Sequence, residues 1–220
     1  MIDLVQPFWK PRDWTSFDVV KKVRSAIKVR KVGHTGTLDP FAEGVLVLCL
    51  GAATKRISQL MDLEKEYRAD VKLGVTTDTL DPTGTVTDTV TVPPLTRDDI
   101  AAVLSRFVGP INQVPPMFSA VKVNGERLYK LARAGKTVLR QPRSVHIYRL
   151  DLVSWLPPDE LVLRVICGKG TYIRSLASDL AQALNTVGYL TSLERTRVGP
   201  YGRADAVRME QLASWTPTIA

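Results

Sequence analysis

Residues 33–44 read GHTGTLDPFAEG, a polar and glycine-rich segment that interrupts the regular patterns on both sides of it. Pro40 disfavours the helical conformation for the residue before it, so the carboxylate of Asp39 is expected to project from an extended or turn backbone. Glycines let a backbone approach a bulky ligand closely. The segment lacks the Gly-Lys-Ser/Thr ending of a phosphate-binding loop. Two interpretations follow from these residues: a glycine-rich turn that Asp39 completes, or a site in which its carboxylate reacts.

The sequence around this segment predicts a mixture of strands and helices. Residues 45–50 form an apolar run between glycines, as in a buried strand, and residues 66–73 alternate so that Tyr67 lies on an apolar face. Further strands are predicted at residues 85–92, 119–123, 145–155, 161–167 and 189–198, and Asp81 opens a turn before the first of them. Helices are predicted at 16–28, 97–107, 126–134 and 207–215, and residues 168–170 open another helix whose apolar stripe runs from 173 to 184. Thr15 or Ser16 caps the first helix, whose apolar stripe includes Phe17. Hairpins outnumber βαβ units, so we predict an α/β chain of the α+β type, with a mixed, mostly antiparallel central sheet and flanking helices.

Positive charge is concentrated in two stretches of the chain. Lys and Arg number 30 against 22 Asp and Glu, a net charge of +8. Residues 21–31 hold six basic side chains and no acid, and residues 122–143 hold seven basic side chains against one glutamate. A surface that faces phosphates is expected to be segregated in this way. The alternative is a pair of solvated helix faces.

Composition excludes several other classes of protein. Two cysteines, Cys49 and Cys167, exclude a disulfide framework and a thiolate zinc site, and two histidines leave little material for a metal centre. We therefore expect no metal and no cofactor, although the composition leaves a metal site built from carboxylates open. The first ten residues lack the apolar core of a signal peptide, so a cytoplasmic location is the expectation. No linker-like stretch divides the 220 residues, which predicts a single domain over residues 1–220.

Residues 33–44 resemble the catalytic motif of the TruB family of tRNA pseudouridine synthases. Three further segments resemble that family in the family's order: EYRADVKLGVTTDTLDPTG around Tyr67, PPMFSAVKVNGERLYKLARAG from Pro115, and GKGTYIRSL from Gly168. The similarity covers roughly residues 8–200. It implies the pseudouridine synthase fold and the isomerisation of uridine to pseudouridine at position 55, in the T arm of tRNA. This activity makes the chain a tRNA pseudouridine(55) synthase that requires no cofactor.

The resemblance also implies roles for individual side chains. It makes Asp39 the nucleophile or base at the ribose–uracil unit. Tyr67 packs on the uracil and takes the C5 proton, and Arg174 pairs with the Asp39 carboxylate. Tyr172 and Leu193 line the substrate pocket. Without the resemblance, Tyr67 would be an ordinary inward aromatic, Arg174 a surface arginine or phosphate contact, and Leu193 a core residue.

Other residues fall on the RNA side of the implied site. His34 helps to extrude the target nucleotide, a step that costs a few kcal/mol in a folded arm; its alternative is a plain turn residue. Lys10, Gly36 and Thr37 are predicted to contact the substrate. The two basic stretches then grip the phosphates of the T stem-loop, the second within an RNA-clamping insertion at about residues 110–143.

Two departures from the family pattern stand out. Near the N-terminus, Asp13 occupies a position where the family shows glycine in Lys-Pro-x-Gly. The chain also ends soon after the catalytic motifs, so we expect it to lack the RNA-binding PUA domain of bacterial members. The expected result is a reduced affinity for tRNA or dependence on the T arm alone.

Two other functions remain open at this point. One is an RNA-binding chaperone that folds tRNA. The other is a related synthase for a different RNA, including one that works with a guide RNA and partner proteins. The basic insertion favours direct binding to tRNA, so we expect a monomer with no obligate protein partner and no membrane association.

Overall fold

Strands form the larger part of the regular structure. The computed structural model describes residues 2–123 and 125–216; Asn124, within the predicted insertion, lies outside them. The strands are β1 (Asp3–Lys10), β2 (Val32–His34), β3 (Glu43–Gly51), β4 (Lys65–Leu73), β5 (Val75–Thr77), β6 (Val86–Thr89), β7 (Gly109–Gln113), β8 (Lys122–Val123), β9 (Glu126–Arg127), β10 (Arg143–Leu156), β11 (Glu160–Cys167), β12 (Gly188–Val198) and β13 (Tyr201–Gly202).

The helices are short and separate the strands irregularly along the chain. They are α1 (Ser16–Ile27), α2 (Ile57–Met61), α3 (Arg97–Ser105), α4 (Leu128–Arg133) and α5 (Ile173–Ala183), with 3-10 turns at Ala52–Arg56, Arg203–Asp205 and Met209–Gln211. None of the helices in the described ranges is both long and apolar enough to cross a membrane.

Backbone contacts divide the chain into two compact units. The first holds the chain up to Arg68 and from Leu193 onward, and the second holds Ala69–Ser192. In the first unit the strand order is β1-β3-β12-β4, with β2 paired to β3 and β13 to β12. In the second unit the order is β12-β4-β11-β10-β7. The predicted α+β class with a mostly antiparallel sheet is confirmed, and the single domain over residues 1–220 stays a prediction.

Strand β3 is the centre of the first unit and is buried on both faces. Leu46, Leu48 and Leu50 pack in one cluster with Phe8 and the apolar side of α1, whereas Val45 and Val47 pack in a second cluster with Trp9. A strand buried on both faces must be apolar without alternation. This explains why residues 45–50 are a continuous apolar run.

Helix α1 begins as predicted, and the structure decides between its two candidate caps. Thr15 is the N-cap, because its hydroxyl accepts from the Asp18 amide and the Asp18 carboxylate accepts from the Thr15 amide. Ser16 is instead buried, where its Oγ accepts from the Leu38 amide at 2.8 Å. Phe17, expected in the apolar stripe, is exposed, and Val19 is buried in the core.

Most of the differences from the predicted elements occur in short or exposed segments. Strand β1, which is eight residues long and buried in its second half, is the exception and was not predicted. The strands expected at residues 85–92 and 119–123 are limited to β6 and β8. The helix expected at 126–134 begins as β9 before α4, and the helix expected at 207–215 contains only a 3-10 turn. Short elements depend on tertiary packing more than on local propensity, which is why sequence patterns misjudge them.

Candidate active site

The segment that contains Asp39 connects β2 to β3 in the first unit. Asp39 is half-buried and begins a turn, since its carbonyl accepts from the Ala42 amide at 3.2 Å. Pro40 occupies the second position of this turn, where its fixed φ is favourable. The predicted turn conformation at Asp39 is therefore confirmed, and the carboxylate extends from a backbone that is defined on both sides.

Five consecutive carbonyl groups, at residues 36–40, each accept a hydrogen bond. Arg195 donates to the first two of them and the Ser16 hydroxyl to the third. The fourth belongs to the turn, and the fifth accepts from the Asp13 amide at 2.8 Å and from the Lys10 ammonium at 3.2 Å. Such a density of partners fixes the conformation of a loop that would otherwise be free to vary. Two of the donors are side chains with a formal positive charge.

Lys10 is fully buried at the end of β1. Its Nζ donates to the carbonyls of Pro11 at 2.9 Å, Trp14 at 2.6 Å and Pro40 at 3.2 Å. Burial lowers the pKa of Lys10 to about 8, and the negative charge of Asp39 acts in the opposite direction. The ammonium therefore holds the loop from inside the protein, and its predicted contact with substrate stays a prediction.

Arg195, on β12, is the main site residue that the sequence analysis missed. It is 2% exposed. Its Nε donates to the Val45 carbonyl at 2.7 Å, its Nη2 to Gly36 at 3.1 Å and its Nη1 to Thr37 at 3.4 Å. The residue lay within a correctly predicted strand, and nothing in that pattern separated it from other strand arginines.

Gly44 carries the one sequence signal that could have pointed to Arg195. Strands β3 and β12 run parallel with Arg195 beside Gly44. A Cβ at Gly44 would lie 2.3 Å from the Arg195 carbonyl oxygen, and the φ of Gly44 is +121°. Only glycine permits so close an approach of two backbones. The final glycine of residues 33–44 therefore marks where β12 pairs with the start of β3.

His34, Gly36 and Thr37 lie together at the start of this segment. The His34 Nδ1 accepts from the Gly36 amide at 3.3 Å. Burial, followed by the positive charge of Arg195, lowers the pKa of His34. The ring is therefore neutral near pH 7, with its Nδ1 already engaged. Thr37 is exposed, as a residue that meets a substrate should be.

Tyr67 and Leu193 are buried side chains of the first unit. Tyr67 is 8% exposed on β4, where the predicted alternation is confirmed, and Leu193 is 4% exposed on β12. Both positions satisfy the ordinary interpretation as core residues. Their predicted contacts with the uracil stay predictions.

Arg174 and Tyr172 belong to the second unit, at the start of α5. Arg174 is buried, with its Nη1 3.4 Å from Asp81 Oδ2. Its guanidinium also donates to the carbonyls of Thr79 and Phe118, both at 2.8 Å. The Tyr172 amide donates to Gln113 Oε1 at 2.7 Å. The interpretation of Arg174 as a surface residue is wrong, and its pairing with Asp39 stays a prediction.

Asp81 was predicted only as part of a turn. The turn exists, but the residue is 5% exposed and its Oδ1 accepts from the Thr79 hydroxyl and from the Thr83 amide and hydroxyl. Burial of a carboxylate is costly unless donors and an opposite charge compensate it. The Asp81 carboxylate therefore lies beside the Arg174 guanidinium and contributes a negative charge to its surroundings.

The two basic stretches lie mostly on the surface. All six basic side chains of residues 21–31 are exposed, and four residues there line a cleft of about 300 Å³: Arg24, Lys28, Val29 and Arg30. In the insertion, Arg127 and Arg133 lie 6.0 and 5.7 Å from the centre of the Tyr129 ring. Exposed cations of this kind fit the phosphate-facing surfaces that the sequence predicts.

Two family models together match most of the chain. The model of the TruB family pseudouridylate synthase N-terminal domain matches residues 24–173. That of the tRNA pseudouridylate synthase B C-terminal domain matches residues 174–218. The mixed α+β fold is that of a pseudouridine synthase. The chain belongs to the TruB family.

Individual relatives agree with this assignment. The tRNA pseudouridine synthase B of Symbiobacterium thermophilum is 49% identical over 215 residues, which are 97% of this chain and 72% of that protein. The protein of the same name from Clostridium perfringens strain SM101 is 47% identical over 204 residues, 93% of this chain and 69% of that protein.

Among solved structures, a chain of a Cbf5-Nop10-Gar1 complex is 29% identical, with a TM-score of 0.75. That match covers 96% of this chain but 54% of the other, so this chain spans about half the length of that relative.

Proposed function

We propose that this protein isomerises uridine to pseudouridine in tRNA, at position 55 in the T arm. The observation that carries the proposal is the loop at residues 36–40, in which Asp39 stands between backbone groups that are all hydrogen-bonded. A fixed carboxylate on a polar loop of a TruB family fold is suited to chemistry at a ribose–base bond.

The reaction is a rearrangement that balances without a second substrate. The bond between C1′ and N1 breaks, the uracil turns while it is held, and a bond forms between C1′ and C5. The C5 proton leaves and N1 gains a proton. No electrons are gained or lost, so the chain's own side chains can supply what is needed. Asp39 acts at the ribose–uracil unit as nucleophile or base.

The remaining side chains take the roles that the resemblance to the TruB family implies. Tyr67 packs against the uracil and accepts the C5 proton, with Leu193 and Tyr172 as further walls of the pocket. Arg174 holds the reacting carboxylate ionised, and its burial beside Asp81 supplies a guanidinium of fixed orientation. His34, neutral and backed by Gly36, replaces contacts of the extruded nucleotide, next to Lys10, Gly36 and Thr37.

Outside the loop that carries Asp39, the proposed contacts with tRNA are electrostatic. The exposed cations of residues 21–31 and of the insertion bind phosphates of the T stem-loop. The protein acts on tRNA in the cytoplasm as a monomer, without an obligate protein partner.

Release of tritium from tRNA labelled at uridine C5 tests this function. The wild type should release tritium, and Asp39→Asn should release none while it binds the same RNA, because only the reactive carboxylate changes. Asp13→Asn is the matched control: it removes a negative charge near the same loop, and asparagine tolerates the backbone conformation of that residue (φ +64°). It should retain wild-type activity.

Two results would contradict the proposal. Tritium release by Asp39→Asn at the wild-type rate would remove Asp39 from the chemistry. No release by the wild type, with RNA binding intact, would favour a tRNA-folding chaperone or a different RNA substrate.

A further inference from the structure

We propose that Arg195 is a positioning residue for this reaction: its guanidinium fixes the backbone of residues 36–37 and thereby sets the orientation of Asp39. The inference rests on the proposed function. It adds a residue that does not touch the reacting atoms and acts through the loop.

The burial of Arg195 is the first observation. The side chain is 2% exposed, and all the hydrogen bonds that its guanidinium donates within the described residues end on carbonyl oxygens. A buried charge is costly, and an apolar side chain of similar volume often stabilises a fold as well or better. Packing alone therefore does not explain an arginine here, whereas a task that needs a planar fork of donors does.

The geometry of the fork is the second observation. One edge, Nε, is bonded to Val45 on the core strand β3, and the two Nη atoms are bonded to Gly36 and Thr37 in the loop. Because a guanidinium is rigid and planar, these three bonds transfer the position of β3 to the loop. A lysine ammonium on a flexible stem cannot reproduce the same three directions.

The third observation is the location of this anchor relative to Asp39. On the far side of Asp39 the chain is held at Pro40 by Lys10 and Asp13, and on the near side the Ser16 hydroxyl holds Leu38. On the near side, the carbonyls at residues 36–37 are both held by Arg195. Asp39 thus lies between two anchored points. Since misplacement of a reacting group by about 1 Å can cost about 100-fold in rate, loss of one anchor should appear in the chemical step.

The test compares Arg195→Lys with Arg197→Lys in single-turnover assays at saturating tRNA. Arg197 is the matched control, because it lies two residues along the same strand and forms ion pairs with Glu64 and Glu66. We expect Arg195→Lys to lower the rate constant for pseudouridine formation by about 100-fold with an unchanged Kd for tRNA. Arg197→Lys should leave both values unchanged.

A second variant covers the case in which Arg195→Lys does not fold. Arg195→Met replaces the charge with an apolar chain of comparable length, and millimolar guanidinium ion should restore part of its activity, whereas methylammonium should not. Rescue by the planar cation alone is a result that a general structural role would not produce.

Hydrogen exchange of the free protein makes the inference independent of activity. In Arg195→Lys, or in Arg195→Met if the lysine variant does not fold, the amides of Leu38 and Ala42 should exchange faster than in the wild type. If the wild type proves inactive on tRNA, the proposed function fails and this exchange result alone decides the positioning role. A wild-type rate in Arg195→Lys, a loss shared equally by Arg197→Lys, or unchanged exchange at the loop would overturn the inference.

Discussion

Two buried arginines, one in each compact unit, are stabilised in different ways. Arg174 lies beside a buried carboxylate, 3.4 Å from Asp81, whereas the hydrogen bonds of Arg195 end on three carbonyl groups. The first arrangement places opposite charges together in a dry environment, and the second meets a charge with dipoles. The carbonyls that solvate Arg195 belong to the candidate catalytic loop and to β3. Among the described residues, the guanidinium of Arg195 is therefore bonded to backbone carbonyls alone, whereas that of Arg174 joins an ion pair in addition to its two carbonyl partners.

The largest expected effect separates the two arginines by stability. Arg174→Met leaves the Asp81 carboxylate buried without this cation, which should lower the free energy of unfolding by about 3–5 kcal/mol. Arg195→Met leaves carbonyl groups without donors, and its cost should be about 1–3 kcal/mol. Urea unfolding followed by circular dichroism measures both. The double variant Arg174→Met/Asp81→Asn should recover part of the first loss, and equal losses in the two single variants would remove the distinction.

A smaller effect concerns Lys10, another buried cation, which can lose its proton as an arginine cannot. Its pKa in the folded protein is about 8, against 10.5 for the ordinary side chain, because burial outweighs the attraction of Asp39, Asp13 and Glu43, and Arg195 opposes the charge further. The unfolded chain binds more protons between these values. The contribution of Lys10 to the free energy of unfolding should therefore rise between about pH 8 and 10.5, by at most about 3 kcal/mol.

Unfolding of the wild type and of Lys10→Met across this pH range checks the sign. The difference between the two proteins should shift in favour of the wild type as pH rises, since the neutral amine is no longer penalised by burial. A difference that moves in the other direction would mean that the ammonium is stabilised by its carbonyls more than burial disfavours it.

The smallest expected effect tests whether the backbone of Asp13, rather than its side chain, supports the loop that carries Asp39. Asp13 has a φ of +64°, and its amide donates to the Pro40 carbonyl at 2.8 Å. Asp13→Gly should change the free energy of unfolding by less than about 0.5 kcal/mol, because glycine adopts this conformation freely but loses more entropy on folding. Asp13→Ala should cost about 1 kcal/mol. Thermal unfolding of both variants measures this, and an equal cost would assign the effect to the carboxylate.

The sequence predicted those parts of the molecule whose signals are local. The apolar run at residues 45–50 predicts a buried strand, and the alternation of residues 66–73 predicts that Tyr67 lies on an apolar face. Both predictions are possible because each pattern arises within one element. The turn at Asp39 follows from Pro40. The occurrence of Asp13 where the family shows glycine is also explained locally. The residue adopts a left-handed conformation, which glycine prefers and aspartate tolerates.

The residues that support the loop could not be predicted in the same way. Arg195 meets its partners about 150 residues away in the chain, and Ser16 bonds to Leu38 across 22 residues. Such contacts depend on which elements come together in the fold, and the local patterns of a single sequence do not show this. Strand β1 was missed for a related reason. Its strand conformation depends on pairing with β3, and the pattern of its own residues does not predict a strand. The candidate catalytic side chains were recognisable, and the groups that hold them were not.

The parallel pairing of β3 with β12 has a consequence for synthesis of the protein. Asp39 leaves the ribosome first, and Arg195 is added 150 residues after the Val45 carbonyl that it binds. At ordinary elongation rates of about 5–20 residues per second, the loop waits roughly 8–30 seconds for this anchor. A nascent chain therefore carries the candidate catalytic carboxylate without this support until β12 has been synthesised.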